Sequence, residues 1–304
     1  MKKKNFIKML NCPICFSREI LNKGYISSKL EEINNFFILK KCTNCNHRFL
    51  SLFPKISFLN KLYKKNSRYV FGHDENEESQ KNKFKKKGFK NVKPYNEHWI
   101  FDYINMNEKS EYLEIGPGLC RMYKTFYKKN WSCNGIDLQP FIKVPGIVKN
   151  IKKIKNNIKD VAVAFDVIEH TSEPIKFLKD INKKMKKGGK LFLTFPNSDS
   201  FKSRLLNNRW NMVVPLAHIN FFSKKSSAIA LKKAGFKMLH IKNFSLVTPR
   251  RLIRNFFKLP FKLILDFLKL DINKIYFRLN EFFINILDLF NGDQMLVIAK
   301  KKSN

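Results

Sequence analysis

The chain has 304 residues, of which 44% are hydrophobic and 30 are phenylalanine. This length fits one catalytic domain with a small additional domain, and the apolar content excludes collagen-like and wholly disordered chains. Lysine and arginine total 60 against 24 acidic residues, a net charge of +36. Such a charge suits nucleic acid, acidic lipid or phosphorylated substrates as partners. Because the lysines are spread over every segment, compositional drift in an AT-rich genome is the alternative explanation.

The N-terminal residues predict neither secretion nor membrane insertion. The Met-Lys-Lys-Lys start is basic, but the apolar run that follows, residues 6–10, is too short for a signal peptide. The sequence contains no uncharged apolar run of about 18 residues, the length that a spanning helix needs. We therefore expect a cytoplasmic protein.

Residues 1–70 are predicted to be a small zinc-ribbon-like domain. They contain two Cys-x-x-Cys pairs: Cys12 and Cys15, Cys42 and Cys45. This spacing is typical of a structural zinc site, which four thiolates close as a tetrahedron. Disulfides are the alternative, and a reducing cytosol disfavours them. Short apolar runs such as residues 36–39 predict strands around this site.

Residues 94–304 are predicted to form the main domain, after a polar segment at 71–93 that we interpret as a linker or an exposed helix. Strand-like and helix-like runs alternate here, which predicts a Rossmann-like doubly wound α/β fold with a parallel sheet. The predicted strands are residues 112–115, 132–136, 161–165, 190–195, 238–244 and 294–299. The predicted helices are residues 173–185, ended by Gly188 and Gly189, and residues 224–234, ended by Gly235.

Residues 249–291 interrupt this alternation with a basic stretch rich in Phe and Leu, predicted to be a helical insertion. Its apolar positions are separated by lysines, a pattern that suits binding to the surface of an acidic membrane or to a lipid-linked acceptor. A helical lid or a dimer contact is the alternative interpretation.

A glycine turn follows the first predicted strand of this domain, in the sequence Leu-Glu-Ile-Gly-Pro-Gly-Leu-Cys at residues 113–120. Gly116 and Gly118 let the backbone approach a ligand closely. Asp137 ends the next strand, where a carboxylate can accept both hydroxyls of a ribose. Glu114 would repel the pyrophosphate of a nicotinamide dinucleotide but would attract the sulfonium and ammonium groups of S-adenosylmethionine. The motif therefore favours S-adenosylmethionine.

With these motifs, residues 112–195 resemble class I S-adenosylmethionine-dependent methyltransferases of the subset that acts on small molecules and sugars. The family pattern is an acidic residue followed by Gly-x-Gly-x-Gly, and Cys120 stands here in place of the third glycine. The resemblance implies methyl transfer, with the cofactor bound by Glu114, Gly116, Gly118 and Asp137.

The sequence Phe-Asp-Val-Ile-Glu-His at residues 165–170 supplies candidate catalytic residues. It follows a predicted strand, and the carboxyl ends of such strands border the ligand crevice, so we expect Asp166 beside the cofactor. The segment resembles the Glu-His segment of sugar methyltransferases and ubiquinone-type O-methyltransferases, which implies His170 as the base and Glu169 as the second candidate. Histidine accepts protons near neutral pH. Capping of the following helix is the alternative role of His170.

Two candidate acceptor-binding residues, Trp210 and His218, lie between the predicted strands 190–195 and 238–244, a region that covers the acceptor in enzymes of this resemblance. Core packing is the alternative for Trp210. The four-cysteine region, in turn, resembles the N-terminal zinc-binding domain of some deoxysugar C-methyltransferases.

The expected function is methyl transfer to a small-molecule or carbohydrate acceptor, such as a sugar nucleotide or a lipid-linked sugar in polysaccharide biosynthesis. An RNA methyltransferase is the first alternative, in which the zinc site and the basic surface would hold nucleic acid. Residues 165–168 lack the Asn/Asp-Pro-Pro-aromatic pattern of base-amino methyltransferases, which disfavours it. A non-catalytic zinc-ribbon adaptor is the second alternative, and the intact glycine turn disfavours it.

Overall fold

The computed structural model describes residues 5–27, 36–65, 88–138, 140, 142–245 and 292–303, together with isolated positions between 257 and 286. Residues 71–87 of the predicted linker and most of the predicted insertion 249–291 lie outside the described residues. The described chain forms sheets of two, four and seven strands. No helix among the described residues is long and apolar enough to cross a membrane.

The secondary-structure elements are labelled in chain order. The strands are β1 (Phe6–Lys8), β2 (Ile20–Ser27), β3 (Phe36–Cys42), β4 (Arg48–Leu50), β5 (Leu52–Pro54), β6 (Glu111–Ile115), β7 (Ser132–Ile136), β8 (Ile147–Val148), β9 (Lys159–Phe165), β10 (Met185–Pro196), β11 (Asn220–Phe221), β12 (Phe236–Phe244) and β13 (Gln294–Lys301). The α-helices are α1 (Ile56–Lys65), α2 (Arg121–Lys128), α3 (Pro174–Lys184), α4 (Phe201–Leu206) and α5 (Lys224–Lys233).

The seven-stranded sheet has the order β12-β13-β10-β9-β6-β7-β8. Its central strands are parallel, as the alternation of strands and helices predicts. The predicted parallel sheet is interrupted at one side, where β13 lies antiparallel between β10 and β12. The first residue of β13, Gln294, pairs with the last residue of β12, Phe244, so β13 runs back along β12 in the opposite direction.

The predicted helix 173–185 is confirmed as α3, but the role given to Gly188 and Gly189 as its end is wrong. Helix α3 ends at Lys184, and β10 begins with the next residue and contains both glycines. The pairing of β10 with β9 shifts register between Met185 and Lys190. A Cβ atom on Gly189 would lie 3.0 Å from the Lys159 carbonyl oxygen. The glycines therefore allow a bulge inside a strand and do not stop a helix.

The core of the seven-stranded sheet positions the edge where the site lies. The central strands are buried on both faces, including Ala162, Val163 and Leu191. Helix α2 packs against the sheet through Phe126, whose ring stacks on Tyr112 at 4.0 Å. A rigid, fully packed sheet of this kind fixes the loops at its carboxyl edge.

The four-stranded sheet has the order β11-β4-β3-β2, so it combines N-terminal strands with a strand from the second half of the chain. Asn220 pairs with Phe49, and Phe221 pairs with Arg48. The Arg48 guanidinium also donates to the Ser203 carbonyl oxygen at 2.9 Å. The four-cysteine region is therefore packed directly on residues of the main domain.

Candidate active site

The glycine turn joins β6 to α2 at the carboxyl edge of the large sheet. Gly116 and Gly118 both have positive φ angles, +66° and +49°, which glycine adopts without strain. A Cβ on Gly116 would lie 2.7 Å from Cγ2 of Val167, whereas a Cβ on Gly118 would meet nothing within 4 Å. Gly116 thus permits packing of the turn on Val167, and Gly118 leaves room in which a ligand can approach the backbone.

Cys120 stands where the family pattern has a third glycine, and it keeps the glycine-like conformation. Its φ is +57°, in the left-handed region, and the next residue begins α2. A non-glycine residue adopts this conformation at a cost of about 1 kcal/mol. The backbone path of the motif is therefore retained although the residue differs.

Glu114 is buried two residues before the turn. The Tyr112 hydroxyl donates to its Oε2 at 3.0 Å. Burial raises the pKa of Glu114 to about 8, although the hydrogen bond from Tyr112 acts in the opposite direction. The carboxyl is thus largely protonated at neutral pH, and a cation placed beside it would favour ionisation.

Asp137 and Asp166 follow directly after β7 and β9, at the same edge of the sheet. The Asp137 amide donates to the Val148 carbonyl oxygen at 3.1 Å, which fixes the backbone of the residue. Asp166 has a φ of +54°, and its Oδ1 accepts from the Thr194 hydroxyl at 3.1 Å. Both carboxylates and the open space at Gly118 fit a nucleoside ligand with ribose hydroxyls and a cationic side chain.

Glu169 and His170, which follow β9, meet His218 from the segment before β11, and we refer to the three as the Glu-His-His cluster. One ligand atom from each residue lies within 4.8 Å of the others. The two imidazole centroids are 5.0 Å apart. The sequence assigned Glu169 and His170 to catalysis and His218 to the acceptor region, and the structure brings all three together.

Main-chain carbonyls hold both imidazoles of the cluster. His170 Nδ1 lies 2.7 Å from the Ala217 carbonyl oxygen, and His218 Nδ1 lies 2.7 Å from the Met212 carbonyl oxygen. The alternative role of His170, as a cap of the following helix, is wrong, because α3 begins at Pro174 and has Glu173 as its N-cap residue. Its imidazole belongs to the cluster instead.

Burial favours the neutral forms of Glu169 and His218. Burial raises the pKa of Glu169 well above its usual range, and the charge of Asp166 raises it further. Burial also lowers the pKa of His218 to about 3, with a smaller contribution from His170. The carboxyl of Glu169 is 1% exposed, and neither of its oxygens has a hydrogen-bond partner among the described residues.

Trp210, the other predicted acceptor-binding residue, lies in the core. Its side chain is 1% exposed and its ring is 5.9 Å from that of Phe221. This burial and the contact with Phe221 agree with the packing interpretation of Trp210.

The four predicted metal ligands of the N-terminal region also meet. Cys12 Sγ lies 3.5 Å from Cys45 Sγ, and Cys15 Sγ lies 3.4 Å from Cys42 Sγ. All four cysteines are free thiols within 4.8 Å of one another. Sulfur atoms bound to one zinc ion at about 2.3 Å would be about 3.8 Å apart, so this arrangement fits a tetrahedral site.

Hydrogen bonds that the sequence analysis missed connect the two clusters. His47 Nε2 lies 3.0 Å from Asn220 Oδ1, and Asn220 Nδ2 donates to the Thr171 carbonyl oxygen at 2.6 Å. The Ser223 hydroxyl donates to the Cys45 carbonyl oxygen at 2.9 Å. Neither His47 nor Asn220 follows a recognisable spacing, since they are 173 residues apart.

The sequence analysis also missed a group of aromatic residues near the end of β9. The His98 ring stacks on Phe165 at 5.8 Å, and the Arg121 guanidinium lies 4.1 Å from the centre of the Tyr95 ring. Burial lowers the pKa of His98 to about 4, so this imidazole is neutral. The density of aromatic residues between 95 and 103 was the signal in the sequence.

Comparison with known proteins agrees with this geometry. A family model described as a methyltransferase domain matches residues 90–241, half of the chain. No curated protein matches the chain. A solved S-adenosylmethionine-dependent methyltransferase from Archaeoglobus fulgidus is 17% identical, with 79% of this chain and 100% of that chain covered and a TM-score of 0.46.

A second solved structure has the same fold by a TM-score of 0.51. It is phosphoethanolamine N-methyltransferase 2 from Haemonchus contortus in complex with S-adenosyl-L-methionine. The identity is 14%, and 90% of this chain and 71% of that chain are covered. The family model covers half of the chain and includes the glycine turn and its carboxylates, so the chain belongs to the methyltransferase-domain family and is a methyltransferase.

Proposed function

We propose that the enzyme methylates a hydroxyl oxygen of a small-molecule or carbohydrate acceptor. The observation that carries this proposal is the position of the Glu-His-His cluster. Val167, two residues before Glu169, contacts the glycine turn at Gly116. The cluster is thus adjacent to the cofactor turn, where a group that binds or deprotonates an acceptor is needed.

The residues of the chain divide into those that hold the cofactor and those that face the acceptor. S-adenosylmethionine, when bound, supplies a methyl group activated by a sulfonium. Asp137 would accept the ribose hydroxyls, and Glu114 and Gly118 would lie along the cationic part of the cofactor. His170 takes up the proton that the acceptor hydroxyl loses as its oxygen bonds to the methyl carbon. The hydrogen bond to Ala217 fixes the imidazole for this role.

The burial of the cluster favours a small or terminal acceptor. Glu169 is buried, and His170 and His218 are half-buried. A hydroxyl on a sugar ring can enter such a recess, whereas a base-paired nucleic acid cannot without unstacking. The net charge of +36 would attract an acceptor that carries phosphate, as a sugar nucleotide does.

The four cysteines, on this proposal, hold a structural zinc ion. Their four sulfur atoms would fill a tetrahedral coordination shell and leave no position for a substrate. Elemental analysis of the purified protein tests this assignment, with one zinc per chain expected to remain after dialysis. A zinc content near zero in a folded protein would contradict it.

We also propose that residues 249–291 bring the enzyme to an acidic membrane surface, which would suit a lipid-linked acceptor. Described positions in this segment expose large apolar side chains, with Phe257 at 74%, Phe267 at 68% and Ile272 at 76%. Serine at Phe267, Ile272 and Phe283 should reduce co-sedimentation with anionic liposomes. The matched control is Leu239→Ser, which changes an exposed leucine on β12. Equal sedimentation of all variants would remove this proposal.

Calorimetric titration with S-adenosylmethionine and S-adenosylhomocysteine comes first among the tests. We expect micromolar binding, and Asp137→Ala should weaken it at least about 10-fold because charge-assisted hydrogen bonds are lost. Asp180→Ala is the matched control, since this aspartate forms surface ion pairs with Lys176 and Lys183. Sugar nucleotides and RNA are then compared as acceptors of labelled methyl groups. Labelling of RNA alone would contradict the proposed acceptor class.

A further inference from the structure

We propose that Glu169, His170 and His218 bind a divalent transition-metal cation, which holds and activates the acceptor hydroxyl. The binding of the cation stands on the cluster geometry alone. Its effect on the acceptor rests on the proposed function and specifies how the same site acts.

The first argument is the orientation of the two imidazoles. A carbonyl oxygen can only accept a hydrogen bond, so the Nδ1 atoms of His170 and His218 must carry hydrogen to bond Ala217 and Met212. Each ring then carries its lone pair on Nε2. Histidines that bind metals are held in this way, with the other ring nitrogen donating to a carbonyl or a carboxylate.

The second argument is the buried carboxyl of Glu169. Both of its oxygens lack a hydrogen-bond partner in the described structure, although the side chain is 1% exposed. A buried polar group without a partner is costly and rare in native proteins. A cation between the carboxylate and the two imidazoles would satisfy both oxygens and would account for their burial.

The third argument is that the main chain holds the ligands together. The Ile219 amide donates to the Glu169 carbonyl oxygen at 2.9 Å, and Asn220 Nδ2 donates to the Thr171 carbonyl oxygen at 2.6 Å. These bonds join the turn that carries Glu169 and His170 to the segment that carries His218. The cluster therefore has a fixed frame before any cation binds.

The donor set indicates the class of metal. Two imidazole nitrogens and one carboxylate oxygen suit zinc, manganese or iron in the divalent state, and such sites keep open positions. Bonds of about 2.1 Å place ligand atoms about 3 to 4 Å apart. The ligand atoms here lie within 4.8 Å of one another, so movements of about 1 Å in the side chains would close the site.

An open position gives the cation a defined chemical task. The acceptor hydroxyl binds there, its pKa falls, and its proton leaves to solvent. The oxygen then forms a bond to the methyl carbon while the bond from that carbon to sulfur breaks. The products are S-adenosylhomocysteine, a methyl ether and one proton, and the cation keeps its oxidation state. With the cation bound, His170 acts as a ligand and no longer as the base.

The test uses Mn²⁺ as the probe on the full-length protein loaded with one zinc ion per chain, which the four thiolates take up, so that the Glu-His-His cluster stays open to Mn²⁺. Thiolates prefer zinc strongly over Mn²⁺, so Mn²⁺ reports on the second site. The electron paramagnetic resonance signal of the Mn²⁺ that stays free in solution shows how much Mn²⁺ has bound. We expect one bound ion per chain. Glu169→Gln and His218→Asn should each weaken binding at least about 10-fold, as the loss of a ligand does at such sites.

Two matched controls change the same residue types outside the cluster. Glu173→Gln alters an exposed carboxyl four residues after Glu169, and His240→Asn alters an exposed imidazole on β12. Both variants should bind Mn²⁺ as the wild type does. Zinc content and affinity for S-adenosylmethionine check that every variant is folded.

Pulsed resonance spectra of the wild type keep the test independent of the variants. Coupling of bound Mn²⁺ to ¹⁴N from imidazole is expected. The proposal is overturned if the zinc-loaded wild type binds no Mn²⁺, if no ¹⁴N coupling is present, or if Glu169→Gln and His218→Asn bind like the controls. Because these measurements need neither cofactor nor acceptor, failure of the proposed function would leave their result unchanged.

Discussion

The four-cysteine cluster and the Glu-His-His cluster are two candidate metal sites built in opposite ways. The cysteines come in two close pairs and offer four identical ligands, three of which are buried. The Glu-His-His cluster has three mixed ligands, two of them half-buried. A site with four thiolates is complete, whereas a site with three ligands leaves room for a substrate. The first is suited to stability and the second to chemistry.

The largest effect is expected from Cys42→Ser, which removes one of the four thiolates and tests whether the four-cysteine cluster stabilises the fold. Loss of a structural metal belongs to the most destabilising class of substitutions, at about 4 kcal/mol or more. A fall in Tm of about 10 °C, with zinc lost, should follow in differential scanning calorimetry. Cys133→Ser, which changes a half-buried cysteine outside the cluster, should keep its zinc. A zinc-free Cys42→Ser protein with the wild-type Tm would contradict a stabilising role.

Glu169→Gln tests whether the Glu-His-His cluster takes part in methyl transfer. Glutamine has the same shape and removes the negative ligand, so methyl transfer should fall at least about 100-fold. The Tm should stay within about 3 °C of the wild type, because the buried carboxyl has no hydrogen bond to lose among the described residues. Initial rates and melting curves measured on one preparation separate the two effects. Should stability collapse while the remaining folded fraction is fully active, the roles of the two clusters would be reversed.

Asn220→Leu measures how strongly the clusters depend on each other. Leucine cannot bond His47 or Thr171, and loss of these buried contacts should cost about 2 kcal/mol. We expect a fall in Tm of about 5 °C and a loss of methyl transfer of about 10-fold, with zinc retained. Asn208→Leu is the control, since this amide bonds Tyr25 of the N-terminal sheet but not the Glu169 turn. Unchanged transfer in Asn220→Leu would mean that the clusters are independent.

The last prediction is a gradual, pH-dependent effect at Glu114, a buried carboxyl that accepts a hydrogen bond, in contrast to Glu169. Its folded-state pKa of about 8 lies above the value near 4.5 of an unperturbed glutamate. The folded state therefore holds a proton that the unfolded state releases, and stability falls as the pH rises from 4.5 to 8. Glutamine does not titrate, so Glu114→Gln should not lose stability in this way. Its free energy of unfolding should rise relative to that of the wild type by up to about 1 kcal/mol for each pH unit. If the Tm values of the wild type and of Glu114→Gln changed in parallel from pH 5 to pH 8.5, the raised pKa of Glu114 would be contradicted.

Local sequence patterns predicted the features that depend only on residues close together in the chain. The strand that carries Glu114, the strand that ends before Asp137 and the glycine turn between β6 and α2 follow from apolar runs and from residues that need positive φ angles. The cysteine pairs follow from spacing alone. In each case the ligands or turn residues lie a few positions apart, so the pattern is visible along the chain.

Features that depend on distant contacts were outside the reach of these patterns. The antiparallel direction of β13 depends on where the chain re-enters the sheet. The meeting of His170 with His218 depends on a loop folding back over 47 residues to Ala217. The bulge at Gly188 and Gly189 depends on the neighbouring strand, since glycines after a helical pattern also predict a helix end. Tertiary packing decided each of these cases.

The pairing of β4 with β11 has a consequence for synthesis of the protein. β4 contacts a strand that the ribosome makes about 170 residues later. At about 5 to 20 residues per second, the edge of β4 stays unpaired for roughly 10 to 30 seconds. An open strand edge can pair with another chain and aggregate. A nascent chain or a truncated fragment that ends before Asn220 would keep this edge exposed.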